Sequence, residues 1–87
     1  MEYNLVFSDQ AKLEIEYFKQ TGNKTILKKL LKLFQELQSH PFYGTGRPEA
    51  LKHSLSGLWS SPINLEHRLV YQVLDSNINV ISVKGHY

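Results

Sequence analysis

Three residues in this sequence carry groups that could together cut a phosphodiester: the carboxylate of Glu49, the guanidinium of Arg68 and the imidazole of His86. Glu49 follows the rigid pair Arg47-Pro48 and precedes Ala50-Leu51-Lys52-His53. Arg68 begins an apolar, strand-like run, and His86 and Tyr87 are the last two residues. Cleavage of RNA without a metal needs a base to take the 2′-OH proton. It also needs a cation to offset charge growing on the phosphate oxygens, and an acid to protonate the departing 5′-oxygen. Histidine titrates near neutrality and can hold that last proton. Arginine stays charged and offers phosphate a planar fork.

Each of these residues also has an ordinary explanation. Taken singly, Glu49 is more often a solvated loop acid, Arg68 more often an edge residue or ion-pair partner, and chain ends are usually inert. Tyr43 and Trp59 could stack on bases, although Trp59, between Leu58 and Ser60, reads better as a core or hairpin aromatic. His53 and His67 read as structural or solvated. No Gly-rich phosphate loop precedes a helix, and the histidines at 40, 53, 67 and 86 have no metal-ligand spacing. Ser–His–Asp chemistry lacks a nucleophile motif. On composition and spacing alone the reading stops at a small α/β domain, with RNA binding as one option.

The elements that must position these residues follow from periodicity. Tyr3 to Phe7 reads as a strand. Ser8 is a candidate N-cap with Asp9 in the first turn. Residues 9–20 carry apolar positions Leu13 and Tyr17, with Ala11, Ile15 and Phe18 beside them, which predicts a helix with a wide apolar face. Gly22 suits a helix end and Asn23 the next cap. Residues 24–39 place Ile26, Leu30, Leu33 and Leu37 at helical spacing, with Leu27, Leu31 and Phe34 alongside, so the two helices form a hairpin. Pro41 to Pro48 holds two of three prolines and two of five glycines, which excludes a helix or central strand. Leu58 to Ile63 reads as a strand, with Pro62 marking an edge or bulge. His67 to Leu74 places Leu69, Tyr71 and Val73 on one face. Asp75-Ser76-Asn77 is a turn. Ile78 to Lys84 alternates again, with Ile78 and Val80 opposite Ile81 and Val83. The region from Leu55 to Lys84 is therefore expected to be an antiparallel meander, one face covered by the helical hairpin.

The chain has 87 residues, no cysteine and a formal charge of +2. That size suits one domain, residues 1–87, and rules out disulfides and thiolate chemistry. No apolar run approaches the roughly 20 residues of a membrane span, and no secretory layout opens the chain. A cytoplasmic protein with no membrane partner is expected. Lys24, Lys28, Lys29 and Lys32 crowd one segment, either as the solvated face of an amphipathic helix or as a polyanion contact.

The residues do not occur in isolation. Pro41-Phe42, Gly44, Gly46-Arg47-Pro48-Glu49, Leu51-Lys52-His53, Leu55-Ser56-Gly57, Trp59-Ser60, Ile63, Glu66-His67-Arg68-Leu69-Val70-Tyr71 and the terminal His86-Tyr87 together closely resemble the YoeB/Txe family of toxins within the RelE superfamily. The resemblance spans the chain and is dense from Pro41 to Tyr71; the first half matches mainly in pattern. It implies an α+β, RelE-like microbial ribonuclease-type fold: an N-terminal strand and a two-helix hairpin on a mainly antiparallel twisted sheet. It further implies the toxin of a type II toxin–antitoxin system, an endoribonuclease that cuts mRNA in the ribosomal A site and inhibits translation. No metal or other cofactor is implied. A YefM/Axe-like antitoxin would neutralise the toxin, and the complex would bind operator DNA and repress its own operon. A homodimer is an open expectation for the free chain.

By motif, the resemblance makes Glu49 the general base, His86 the general acid, Arg68 the phosphate contact and Tyr87 an orienting or proton-transfer partner. Lys52 would contact backbone phosphate, His53 would support it, and Lys24, Lys28, Lys29 and Lys32 would face ribosomal RNA. One departure stands out. Relatives often carry a basic pair where this chain has Ser61-Pro62. Either binding is weaker here, or Lys84, which shares strand parity with His86, compensates. Two other readings remain: a non-catalytic inhibitor on the same fold, like the gyrase-poisoning relatives, and a plain RNA- or protein-binding module. Neither needs Glu49, Arg68 and His86 together.

Overall fold

The computed structural model describes residues 2–51 and 57–85. The order of elements is β1 (Asn4–Phe7), α1 (Asp9–Gln20), α2 (Lys24–Ser39), β2 (Glu49–Ala50), β3 (Leu58–Pro62), β4 (Arg68–Leu74) and β5 (Asn77–Ser82). The five strands form one sheet in the order β1-β5-β4-β3-β2. β1 runs parallel to β5, and the other pairs are antiparallel.

The helix boundaries come from cap chemistry. The Ser8 side chain accepts a hydrogen bond from the Ala11 amide at 3.0 Å and donates to the Ile81 carbonyl at 2.7 Å, so one hydroxyl caps α1 and ties it to β5. A cap of this kind contributes about 1 kcal/mol. Gly22 follows the last turn at φ +69°, a conformation that costs glycine little. Asn23 then caps α2 by accepting from the Ile26 amide at 3.2 Å.

Ile26, Leu30, Leu33 and Leu37 of α2 are all buried, as their spacing predicts, while Leu31 is exposed. They join Ala11 and Phe18 of α1 and Leu69, Tyr71, Ile78 and Val80 of the sheet in one core. Each large apolar side chain buried there contributes roughly 1.5–3 kcal/mol. The helical hairpin therefore covers the sheet face that carries Leu69 and Tyr71. Strand alternation sends Arg68, Val70 and Gln72 to the other face.

Three expectations need correction. Leu13 and Tyr17 are 68% and 50% exposed; the buried side of α1 is the adjacent stripe of Ala11 and Phe18. Helical spacing alone marks an apolar sector without saying which edge of it meets the sheet. Second, Val83 does not oppose Ile78 and Val80 but joins them in the core. The cause is a bulge: Val70 pairs with Ser82 and Tyr71 with Val80, leaving Ile81 as the extra residue that shifts the phase of the residues after it. Third, β5 ends at Ser82, so Lys84 lies beyond the strand in which the sequence placed it.

Candidate functional site

Sheet register brings Glu49 to Arg68. Glu49 pairs with Ser60, and Pro62 pairs with Arg68, so Glu49, Ser60 and Arg68 share the face away from the helices. Arg68 Nη2 donates to Glu49 Oε1 at 2.8 Å, and Arg68 Nε donates to Ser60 Oγ at 2.5 Å. Ser60 is fully buried. The guanidinium is thus gripped from below by a fixed hydroxyl while its outer edge meets an exposed carboxylate. The Arg68 side chain is 24% exposed and that of Glu49 is 67% exposed. An ion pair this open is worth ~0–1 kcal/mol to folding. Its interest is chemical: a carboxylate able to accept a proton and a guanidinium fork able to bind phosphate are held side by side. Ser60 is the residue that sequence reasoning left without a role; its signal was the strand register, which no local pattern carries.

Glu49 arrives on a loop that is pinned at several points. The Tyr71 hydroxyl donates to the Pro41 carbonyl at 2.5 Å, and burial pushes the Tyr71 phenol pKa upward. Ser61 Oγ donates to the Gly46 carbonyl at 2.8 Å. Glu36 of α2 accepts from the Thr45 amide at 2.9 Å and from its hydroxyl. The Thr45 side chain is the first cause that lowers the Glu36 pKa; burial, next in size, opposes it, and the Thr45 amide and the charges of His40 and Lys32 lower it further. His40 stacks on Tyr43 with ring centroids 4.6 Å apart, and Trp59, partly buried, packs on Phe42 at 5.0 Å.

Ser61 and Pro62 play different parts. Ser61 points into the core and is 1% exposed. Pro62 lies opposite Arg68, beyond the reach of β2, where its missing N–H costs no ladder bond.

On the far side of Arg68 the chain returns as Val83-Lys84-Gly85. The Arg68 amide donates to the Gly85 carbonyl at 2.8 Å, and the Gly85 amide donates to His67 Nδ1 at 2.9 Å. His67 is therefore structural, 9% exposed, with its ring against Phe18. His86, Tyr87, Lys52 and His53 lie outside the described residues. Lys84 is exposed, and its ammonium sits 5.1 Å over the Tyr17 ring on α1, not beside Glu49 or Arg68. Lys24, Lys28 and Lys32 are exposed at four-residue intervals on one ridge of α2, and Lys29 is half-buried off that ridge. Because α2 covers the opposite sheet face, the ridge and the Glu49–Arg68 pair lie on different sides of the sheet. Among the described residues no three His, Asp or Glu side chains are placed to hold a metal, and no helix is long and apolar enough to cross a membrane.

The family model for YoeB-like toxins of bacterial type II toxin–antitoxin systems matches residues 7–87. Toxin YoeB of Escherichia coli K12 is 41% identical over 83 residues, covering 95% of this chain and 98% of that protein. The YoeB dimer of Staphylococcus aureus superposes with a TM-score of 0.87 at 41% identity, and the YoeB–YefM complex of the same organism with 0.85 at 42%. Both cover all of each chain.

Proposed function

This chain belongs to the YoeB-like toxins of bacterial type II toxin–antitoxin systems, and on that premise we propose that it is an endoribonuclease cutting mRNA in the ribosomal A site by acid–base chemistry. The observation that carries the reading is the Glu49–Arg68 pair at 2.8 Å, its guanidinium fixed by buried Ser60.

In the free chain Arg68 holds Glu49. A scissile phosphate entering this face takes the outer edge of the guanidinium, where bidentate contacts to two non-bridging oxygens are the stronger use of the fork. Glu49, 67% exposed, is then free to accept the proton of the neighbouring 2′-OH. The 2′-oxygen attacks phosphorus, the bond to the 5′-oxygen breaks, and a 2′,3′-cyclic phosphate forms. The 5′-oxygen leaves with a proton from His86, and Tyr87 orients the substrate. His86 is one peptide bond beyond Gly85, which is tied to the Arg68 backbone. Lys52 and, more weakly, His53 contact backbone phosphate, and Lys84 serves substrate only if it leaves Tyr17. The α2 ridge of Lys24, Lys28 and Lys32, with Lys29 beside it, meets ribosomal RNA away from the cut. Counterion release makes that contact salt-dependent.

Partnership with a YefM-like antitoxin, which would silence the toxin and with it repress their operon, is supported by the Staphylococcus aureus YoeB–YefM complex. A homodimer is supported by the YoeB dimer of that organism. Ribosome-dependent action places the protein in the cytoplasm. The test is to map cut sites on translating ribosomes with wild type and His86→Ala. Wild type cuts within the A-site codon, and the folded variant does not. A fully active His86→Ala removes the acid assignment.

A further inference from the structure

The segment leading to His86 is held in an unusual way. Sheet pairing of β5 ends at Ser82. The next three backbone amides are then taken, one after another, by two side chains. Glu14 Oε1 accepts from Val83 at 2.8 Å and from Lys84 at 3.2 Å, and His67 Nδ1 accepts from Gly85 at 2.9 Å. Both acceptors are themselves oriented. Gln10 donates to the second Glu14 oxygen at 2.7 Å, and the His67 ring lies edge-on against Phe18 with centroids 5.2 Å apart. The His67 contact requires Nδ1 to be unprotonated, since it faces a donor. Gly85, at φ +81°, turns its carbonyl to the Arg68 amide at 2.8 Å.

Satisfying buried amides does not explain all of this. Val83 is buried and its N–H needs a partner. Lys84 is exposed and Gly85 half-buried, so water could serve them. Capturing all three restricts the direction in which the chain leaves Gly85. From this we infer that Glu14 and His67 are positioning residues: they form a clasp that fixes the direction in which the chain leaves Gly85, and the rate of the step assigned to His86 depends on that clasp. The inference rests on the reading of His86 as general acid.

The experiment measures single-turnover cleavage on programmed ribosomes with two messages. One is ordinary; the other has sulfur in place of the scissile 5′-oxygen, a leaving group that departs as thiolate without a proton. Glu14→Ala and His67→Phe remove an acceptor, and His67→Phe keeps a ring against Phe18. Both slow the maximal rate on the ordinary message by roughly 10- to 100-fold, the cost of misplacing a catalytic group by about 1 Å. The toxin concentration giving half the maximal rate stays unchanged. On the sulfur message both variants approach wild type. Glu14→Gln and His67→Asn, which keep an acceptor, recover most of the ordinary rate. Rates are scaled to the folded fraction from thermal unfolding in the same samples. Equal losses on the two messages, or no loss on the ordinary one, overturn the clasp. A His86→Ala control that sulfur does not rescue overturns the acid assignment, and the clasp with it.

Discussion

Two irregular segments flank Arg68, and they are held by different means. The loop from Pro41 to Pro48, which delivers Glu49, is sunk into the protein at two points. Pro41 and Gly46 are buried, and Tyr71, Ser61 and Glu36 each hold a separate point of it. The segment Val83 to Gly85 starts in the core at Val83, and from there Lys84 and Gly85 come out to the surface and depend on Glu14, His67 and one backbone bond. Both use a glutamate projecting from a helix to catch backbone N–H groups, Glu36 from α2 and Glu14 from α1. The loop is packed at both Pro41 and Gly46, whereas the terminal segment is packed at its start, Val83. The difference teaches that the loop before Glu49 is held by packing as well as hydrogen bonds, and Lys84-Gly85 mainly by hydrogen bonds. Damage to the loop should therefore appear as lost stability, and damage to the terminal segment as lost rate.

Arg68 belongs to neither segment, and its loss has the largest effect. Arg68→Ala lowers single-turnover cleavage by roughly 10²–10³-fold, the usual consequence of removing one transition-state donor. Circular dichroism is expected to show a folded chain, somewhat less stable than wild type because buried Ser60 also loses its partner. A residual rate near wild type would move the phosphate site elsewhere and dissolve the comparison.

Gly46→Ala strikes the packed loop. A Cβ there would meet Leu33 Cδ2 at 2.6 Å and the Ser61 hydroxyl closer still. Overpacking of this kind costs about 1–3 kcal/mol, and each kcal/mol lowers the melting temperature of a domain this size by roughly 4–8 °C. Thermal unfolding should register the loss while the cleavage rate per folded molecule holds. An unchanged melting temperature would mean that the loop yields, and that packing does not place Glu49.

Much of this architecture was legible in the sequence, and the limit falls where distant residues meet. Ser8, Gly22 and Asn23 act within one turn of themselves, so both helices could be placed from local chemistry. Pro62 marked its own edge position. The bulge at Ile81 depends on the register of β5 against β4, and β2 has two residues, too few for periodicity. Glu49 and Arg68 could be named as chemical candidates from the sequence. That they touch follows only from stacking Glu49 on Ser60 and Pro62 on Arg68 across three strands. Glu14 is an ordinary acid on a helix until the end of β5 arrives beside it.

The smallest effect tests the loop's glutamate. Contacts from Thr45 hold the Glu36 carboxylate pKa below its usual value of 4.5. Its contribution to stability is therefore fully present above that pH and fades as pH falls through the lowered value. The difference in melting temperature between wild type and Glu36→Gln should shrink as pH falls below about 4.5. A difference independent of pH would show that charge on Glu36 does not help to hold the loop.

The most direct test of the central claim, that Glu49 and His86 serve opposite ends of one reaction at the Arg68 phosphate, assigns each proton separately. The measurement is single-turnover cleavage by His86→Ala and Glu49→Gln on a message whose scissile 5′-oxygen is replaced by sulfur. The account predicts that His86→Ala regains most of the wild-type rate there while Glu49→Gln stays slow. No recovery for His86→Ala, or recovery of Glu49→Gln instead, would contradict it.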